Sequence, residues 1–274
     1  MNRIDSFETF NSLIHSFKEN RETVEHFPFN KNIFEKYIDN QRLFCEEDAQ
    51  GLYFYVDEDF FYDLYYIIEK GSFLSTGRKK KALLINENQL LKDCISFNEL
   101  YLNSGFEVAA VNHQLTIDIE SEKDRVLRKY EETQKLLNEY VCTVAENRHE
   151  YDEEVRRLWM ENLKKTDVPY EHYTEGNTLL LLDQNEKLLA AAWYVSSNGR
   201  DSEWRHIVVD QPYRGKGLSS ILAYHWLHLC AENQIKRGLT WVDEDNIVSM
   251  KAHEKIGFIP NKRLSIQYIM EAGE

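Results

Sequence analysis

The sequence predicts an α/β protein of the α+β kind, made of two related units, each a mixed and mostly antiparallel sheet flanked by helices. Three observations support this fold class. Short apolar runs with strand character alternate with segments of helical period along the whole chain. A strand, a helix and a Gly-Phe pair recur in the same order at residues 82–106 and 239–258, and a repeat of this length predicts two copies of one unit. Only the second copy contains a glycine-rich turn between a strand and a long helix, at residues 204–234.

The first copy opens with helices and continues with strands. Apolar residues at helical spacing predict the two helices, and β-type runs bounded by turn residues predict the strands. The predicted elements are helices at 4–17 and 33–42, strands at 51–56, 60–68 and 82–85, a helix at 88–103 and a strand at 107–117. A short segment rich in Gly, Ser and Lys joins the strand at 60–68 to the strand at 82–85. We therefore expect the first copy to lack the turn and helix that the second copy has at this point.

The second copy repeats the strand pattern and adds the missing helix. Its predicted elements are strands at 141–145, 178–182, 188–195, 203–209, 239–242 and 258–270, and helices at 155–163, 219–234 and 246–257. The strongly charged segment 120–140 has a weak helical stripe, which predicts a connecting helix. The predicted domains are accordingly a degenerate unit at 1–119, the connecting helix at 120–140 and a complete unit at 141–274.

Composition limits the classes of function. The chain has 274 residues and a net charge of −14, which disfavours nucleic acid because phosphate backbones attract basic faces. The same charge favours a cationic partner such as an amine, although solubility alone also explains an excess of acidic residues. The sequence has no apolar run long enough to span a membrane and no signal-peptide core. We expect a cytoplasmic protein without membrane or nucleic-acid partners, and the sequence leaves the oligomeric state open.

Metal binding is not expected. The cysteines, Cys45, Cys94, Cys142 and Cys230, are far apart and form no Cys-x-x-Cys pair, so buried thiols are the simplest interpretation. His225 and His228 have the spacing of a shared metal site on a helix, but no carboxylate or cysteine partner is evident beside them.

The glycine-rich turn indicates an anion site. It reads Arg214-Gly215-Lys216-Gly217-Leu218-Ser219 and joins an apolar strand to an amphipathic helix. Two close glycines expose backbone N–H groups, and the start of the helix adds unpaired N–H donors and the positive end of its macrodipole. Such a turn binds phosphate or diphosphate.

Two motifs in the second half resemble the GNAT superfamily, the GCN5-related N-acetyltransferases. The first family signature, [Gln/Arg]-x-x-Gly-x-[Gly/Ala], is matched by Arg214 to Ser219, with Ser as a small departure at the last position. The second is matched by Asn246, Ser249 and the run His253-Glu-Lys-Ile-Gly-Phe258. The resemblance covers about the last 135 residues, and the paired arrangement is similar to tandem members of this superfamily.

The resemblance implies that acetyl-CoA, or another acyl-CoA, is the co-substrate. The amides of Gly215, Gly217, Leu218 and Ser219 would bind its diphosphate, with added contacts from the Arg214 and Lys216 side chains. Val209 would offer backbone groups to the pantetheine and the thioester carbonyl. Asn246 would cap a helix and contact the cofactor, although capping alone explains an Asn there.

Two residues are candidates for proton transfer. Glu203 lies six residues before Val209 on the same strand, so regular alternation puts both on one face, where Glu203 would act as the base; a surface carboxylate is the competing interpretation. His253 occupies the position where many family members have a Tyr that protonates the thiolate, and a packing role explains it equally well. Tyr224 and Tyr268 are weaker candidates. Alternation puts His206 on the face opposite to Glu203.

The acceptor is expected to be a small amine or an amino acid. Tyr170, Glu171, His172 and Tyr173, in the loop at 167–176, are candidate acceptor contacts, and Arg205 is a candidate partner for a substrate carboxylate. Alternatives remain open: a sensor that binds acyl-CoA without turnover, an enzyme that modifies a protein N-terminus or lysine, and a transferase that uses aminoacyl-tRNA.

Overall fold

The computed structural model describes residues 1–26, 31–58, 61–75, 79–90, 98–140, 142–162, 176–197 and 199–273. The chain divides into two compact units, one of Met1–Val111 with Ile266–Glu274 and one of Asn112–Ser265. Each unit is a mixed sheet with helices, so the predicted fold class is confirmed. None of the described helices combines the length and the apolar character that crossing a bilayer requires.

The first unit is built on a sheet with two helices over one face. Its helices are α1 (Phe7–Lys18), α2 (Lys31–Asp39) and α3 (Glu99–Asn103), and its strands are β1 (Asn2–Arg3), β2 (Thr23–His26), β3 (Leu43–Glu47), β4 (Gly51–Asp57), β5 (Phe61–Glu69), β6 (Ala82–Leu90), the first half of β7 (Glu107–Asp118) and the end of β13 (Ile259–Met270). The sheet order is β1-β3-β4-β5-β6-β13. A Ser6 cap starts α1, and Phe10 and Phe34 pack with Phe54 beneath the two helices.

Strand β5 is paired differently along its length. β4 covers one edge from Asp57↔Tyr62 to Gly51↔Ile68. On the other edge, β6 runs parallel for three residue pairs that end at Asp63↔Leu84. β2 then takes over that edge, antiparallel, from His26↔Tyr66 to Thr23↔Glu69. Because a strand has only two edges, β2 fills the stretch of β5 that β6 leaves.

The second unit carries the glycine-rich turn. Its helices are α4 (Lys123–Tyr140), α5 (Asp152–Met160), α6 (Leu218–Glu232) and α7 (Ile247–Ile256), and its further strands are β8 (Thr143–Glu146), β9 (Asn177–Leu182), β10 (Leu188–Ser197), β11 (Asp201–Val209) and β12 (Arg237–Asp243). The sheet order is β7-β12-β11-β10-β9-β8. One face packs on α4 and α6, and the other packs on α5.

The predicted domain boundaries follow the order of the chain, whereas the compact units exchange strands. Residues 112–118 of β7, which were expected in the first unit, pair with β12 from Asn112↔Asp243 to Asp118↔Arg237 and belong to the second. The last residues of β13, from Ile266 onward, belong to the first unit. The segment at 120–140 forms α4, whose Val126 is fully buried in the core of the second unit. It is therefore a packed helix rather than a connector.

The region after β6 also differs from the expectation. The helix predicted at 88–103 is reduced, in the described part of this segment, to α3, while β6 continues as far as Leu90. The apolar spacing after Ala82 was compatible with both types of element, and short apolar runs do not separate a buried strand from a helix.

Candidate active site

The glycine-rich turn presents open backbone amides. Gly215 and Gly217 have φ angles of +76° and +77°. Residues that carry a side chain rarely adopt this left-handed backbone conformation. α6 begins at Leu218 without a side-chain cap, and the amides from Gly215 to Ser219 donate no hydrogen bond to any described residue. We name residues 214–219 the cradle; its exposed donors and the helix N-terminus favour an anion.

Next to the cradle, two parallel strands part. β11 and β12 are paired from Asp201↔Arg237 to Glu203↔Leu239, and both strands continue beyond this point without further pairing to each other. We name the point of separation, at Glu203 and Leu239, the fork. β10 covers the opposite edge of β11 as far as Val209. From the fork to the cradle, no described strand pairs with the remaining edge of β11, so an extended ligand could hydrogen-bond along it.

The Arg214 side chain donates hydrogen bonds to two acceptors within the protein. Its Nε donates to the carbonyl of Val209 at 3.0 Å, and its Nη2 donates to Oδ1 of Asn162 at 2.6 Å. Asn162 in turn donates to the carbonyl of Leu158 in α5 at 2.6 Å. Arg214 therefore ties the end of β11 to the end of α5, a role that the motif spacing did not predict.

One lysine belongs to the cradle, Lys216, and a second, Lys187, lies near the same tyrosine ring. Lys216 Nζ is 5.1 Å from the ring centroid of Tyr213, and Lys187 Nζ is 4.9 Å from the same centroid and 3.1 Å from the phenol oxygen. Neither lysine forms an ion pair with a carboxylate of the described residues. Lys187 was missed from the sequence because it lies in the turn before β10, outside both motifs.

A β-bulge changes the face on which Glu203 lies. Trp193 is opposite His206, but the next residue of β10, Tyr194, is opposite Trp204, so β11 has one extra residue between them, Arg205. Residues opposite each other share a face of the sheet. Glu203 is opposite Val195, on the same face as His206 and away from Val209. The prediction that Glu203 shares a face with Val209 and that His206 lies opposite to it is therefore wrong, because regular alternation does not hold across a bulge.

Charged groups lie on the α5 face at the fork. Arg205 Nε is 3.1 Å from Glu203 Oε1, and the side chains are 39% and 29% exposed. The Arg205 guanidinium lies 5.0 Å from the ring centroid of Trp193. His206 contacts Trp159 edge-on at 4.7 Å. Burial, with a smaller contribution from Arg205, lowers the pKa of His206 to about 4, so its ring is neutral near pH 7.

The second motif forms the start and the core side of α7. Asn246 Oδ1 accepts a hydrogen bond from Ser249 N at 3.1 Å, so Asn246 caps the helix. The His253 side chain is buried, and its Nδ1 donates to the carbonyl of Ser249 at 2.8 Å. Burial lowers the pKa of His253. A neutral imidazole that carries its proton on Nδ1 has none on Nε2.

Residues 134–258 match the family model described as Acetyltransferase (GNAT) family. This part of the chain belongs to the GNAT family. A tandem GNAT protein from the clavulanic acid biosynthesis pathway has a TM-score of 0.59 at 11% identity, covering 97% of this chain and 95% of its own. A GCN5-related N-acetyltransferase from Sphaerobacter thermophilus has a TM-score of 0.55 at 10% identity, covering 89% and 86%. No curated protein sequence matches the chain.

The first of these likenesses extends over both units, so the chain has the fold of a tandem GNAT protein. GNAT proteins use acyl-CoA as a co-substrate. The cradle amides and the open edge of β11 fit its diphosphate and its pantetheine arm, and among the described residues no group of side chains suited to a metal ion is present.

The other predicted residues belong to the first unit, to the core of the second unit, or to segments outside the described residues. Tyr268 belongs to the first unit, where its phenol oxygen accepts a hydrogen bond from Asn98 N at 3.0 Å. Tyr224 is buried in the core beneath α6. The candidate acceptor contacts Tyr170, Glu171, His172 and Tyr173 lie outside the described residues.

The described residues of the first unit form an equivalent fork but no cradle. Among the described residues, no helix lies between β5 and β6, and β2 occupies the edge that is open in the second unit. Asp63 ends the parallel ladder there, as Glu203 does in the GNAT domain. Burial, reinforced by Glu58, raises the pKa of Asp63 to about 8, so this carboxyl is largely protonated near pH 7.

Proposed function

We propose that the second unit is an acyl-CoA-dependent N-acyltransferase that transfers an acyl group, most simply acetyl from acetyl-CoA, to a primary amine of a small molecule or an amino acid. The observation that carries the proposal is the continuous path from the open amides of the cradle, along the unpaired edge of β11, to a carboxylate at the fork. The net charge of −14 supports a cationic acceptor over nucleic acid.

The cradle is the proposed diphosphate site. The amides from Gly215 to Ser219 would bind the diphosphate oxygens, and Lys216 and Lys187 would add positive charge beside them. Arg214 would position Val209 and α5 through the hydrogen bonds described above. The pantetheine arm would then lie along β11 and bring the thioester toward the fork.

Acyl transfer at this site needs alignment and one proton acceptor. The amine nitrogen attacks the thioester carbonyl, the C–N bond forms, and the C–S bond breaks with its electron pair going to sulfur. Glu203 is the proposed base, directly or through a water molecule, for the proton that the amine loses. Backbone N–H groups on the open edge of β11 would stabilise the negative charge on the thioester oxygen.

His253 is not retained as the proton donor in this proposal. Its lowered pKa and its Nδ1–H hydrogen bond leave Nε2 without a proton near neutral pH. We assign the ring to packing between α7 and Phe258, which it contacts edge-on at 5.3 Å. The departing thiolate is then protonated from solvent.

Substitution in the cradle tests the cofactor site. We expect Gly217→Glu to abolish acetyl-CoA binding measured by calorimetry, because it places a carboxylate among the amides and strains a residue with φ +77°. Gly199→Glu is the matched control, since Gly199 also has positive φ, +61°, and no atom within 4 Å of an added Cβ. If Gly217→Glu bound acetyl-CoA like the wild type, the cradle assignment would be wrong.

A binding protein that senses acyl-CoA is the alternative function, because the cradle alone explains binding without turnover. Thiol release from acetyl-CoA in the presence of a panel of primary amines separates the two. An enzyme releases CoA in proportion to acylated amine, whereas a sensor binds acetyl-CoA and releases none.

A further inference from the structure

We propose that the acceptor carries a carboxylate close to its amine, with Arg205 binding the carboxylate and Glu203 receiving the amine. This inference rests on the acyltransferase function proposed above and narrows its substrate to amino-acid-like molecules. The inference depends on three features: the charges at the fork, the face from which an acceptor can reach the fork, and the terminal nitrogens of the Arg205 guanidinium group.

Among the residues that the structure describes, only one face of β11 at the fork offers charged groups to solvent. On the α6 face, Trp204 is 2% exposed and packs against Trp226 at a centroid distance of 5.1 Å. Trp226 also donates a hydrogen bond to Ser202 Oγ at 3.0 Å, and this contact closes the same face two residues before Trp204. An acceptor that reaches the fork must therefore come from the α5 side, where Glu203 and Arg205 are partly exposed.

Glu203 and Arg205 lie side by side on the α5 face of β11. Here Arg205 is the inserted residue, and its Nε lies 3.1 Å from Glu203 Oε1. The pair presents one positive and one negative group side by side at the point where the acyl end of the pantetheine arm is expected.

The terminal nitrogens of Arg205 are available to a ligand. Nε forms an ion pair with Glu203, while no described residue accepts a hydrogen bond from Nη1 or Nη2. Stacking over Trp193 at 5.0 Å holds the guanidinium plane in place without using these donors. Two parallel N–H groups of a fixed guanidinium match the two oxygens of a carboxylate.

The neighbouring histidine adds no charge to this site. His206 lies on the same face, and its ring is neutral near pH 7 because burial depresses its pKa. The positive charge beside Glu203 is therefore supplied by Arg205. A molecule whose ammonium and carboxylate are separated by one or two carbon atoms complements this pair, whereas a simple amine leaves the guanidinium without a partner.

The test compares amino acids with analogues that lack the charge. Wild-type protein is assayed for thiol release with α-amino acids and β-alanine, with their primary amides, and with the amines that remain after removal of the carboxyl group. We expect kcat/KM for the acids to exceed that for the amides by about 10- to 100-fold, the usual effect of one hydrogen bond to a charged group. Arg205→Gln should remove this preference by raising KM for the acids more than KM for the amides.

Arg237→Gln is the matched control. Arg237 also pairs with a carboxylate of β11, donating to Asp201 at 2.8 and 3.0 Å, and its side chain is 46% exposed. Arg237 is the first residue of β12 and lies two residues before the fork. Its replacement should therefore leave the preference for acids intact. Thermal melts of both variants establish that they are folded, and calorimetry of an amino acid with the CoA-bound protein measures acceptor binding without turnover.

The outcomes separate the inference from the proposed function. Two results would overturn the inference and leave the acyltransferase function standing. One is an equal kcat/KM of the wild type for acids, amides and amines. The other is an equal loss of kcat/KM for acids and for amides in Arg205→Gln. Acetyl-CoA binding without thiol release for any acceptor would overturn both. A preference for acids that Arg205→Gln abolishes and Arg237→Gln preserves would support both.

Discussion

Glu203 combines two properties that a base for amine acylation needs. It lies at the fork, where the thioester is expected, and its carboxylate is partly exposed on the face that an acceptor can reach. The sequence identified this residue from its distance to Val209 but placed it on the wrong face, because the bulge at Arg205 leaves no mark in a pattern of residue types. The sequence could propose Glu203 as a candidate base, but it could not predict the direction of its side chain.

Replacing Glu203 with Gln should reduce kcat and leave acetyl-CoA affinity unchanged. The amide keeps the volume but accepts no proton, and general-base catalysis contributes roughly 10²- to 10⁴-fold. Steady-state kinetics and calorimetry measure the two quantities. Asp201→Asn, two residues earlier on β11, is the control because it removes a carboxylate that pairs with Arg237. Unchanged kcat in Glu203→Gln would show that solvent takes the proton.

Replacing His253 with Gln should lower the melting temperature by a few degrees and leave kcat nearly unchanged. The amide can keep the hydrogen bond to the Ser249 carbonyl but not the ring contact with Phe258. Ile256→Val, on the same helix, is the control, because it removes a buried methyl group and so reduces packing without changing the histidine. A fall in kcat of about tenfold or more in His253→Gln alone, with CoA affinity intact, would return this residue to the role of proton donor.

At the scale of elements, the two copies differ in what lies along one edge of one strand. In the second unit the edge of β11 beyond the fork is open, and in the first unit β2 lies along the corresponding edge of β5. The sequence predicted the missing cradle of the first copy from its short connection. It gave no indication of β2, because a strand of four residues with a mixed pattern of exposure carries too weak a periodic signal.

The occupied edge predicts one acyl-CoA site per chain. His26 of β2 stacks on Tyr66 of β5 at a ring-centroid distance of 5.7 Å. Titration of the wild type with acetyl-CoA should give one equivalent bound, and Gly217→Glu should bind none. Hydrogen exchange should show the amides of β2 protected to the same degree before and after acetyl-CoA is added. Two equivalents bound, or loss of protection in β2 on addition of acetyl-CoA, would contradict this assignment.

For the whole molecule, the internal repeat was the strongest sequence signal. The recurring strand, helix and Gly-Phe pair predicted two copies of one unit, and the likeness to a tandem GNAT protein over 97% of the chain agrees with it. The GNAT signatures located the cradle because its residues are contiguous in the sequence, so the motif can be recognised without knowing how distant strands pair. The membership of β7 and β13 could not be read in the same way, since which strands pair across a long stretch of chain depends on packing rather than on local pattern.

The exchange of strands has a consequence for synthesis. Tyr268, fully buried in the first unit against Tyr101, is synthesised after the whole of residues 112–265, which form the second unit. The first unit therefore cannot complete its core until the second unit has been synthesised, although most of its residues emerge early. Domains usually fold in turn as they appear. In this chain the first unit is closed by a segment that follows the entire second unit, so the order of synthesis does not set the order in which the two cores are completed.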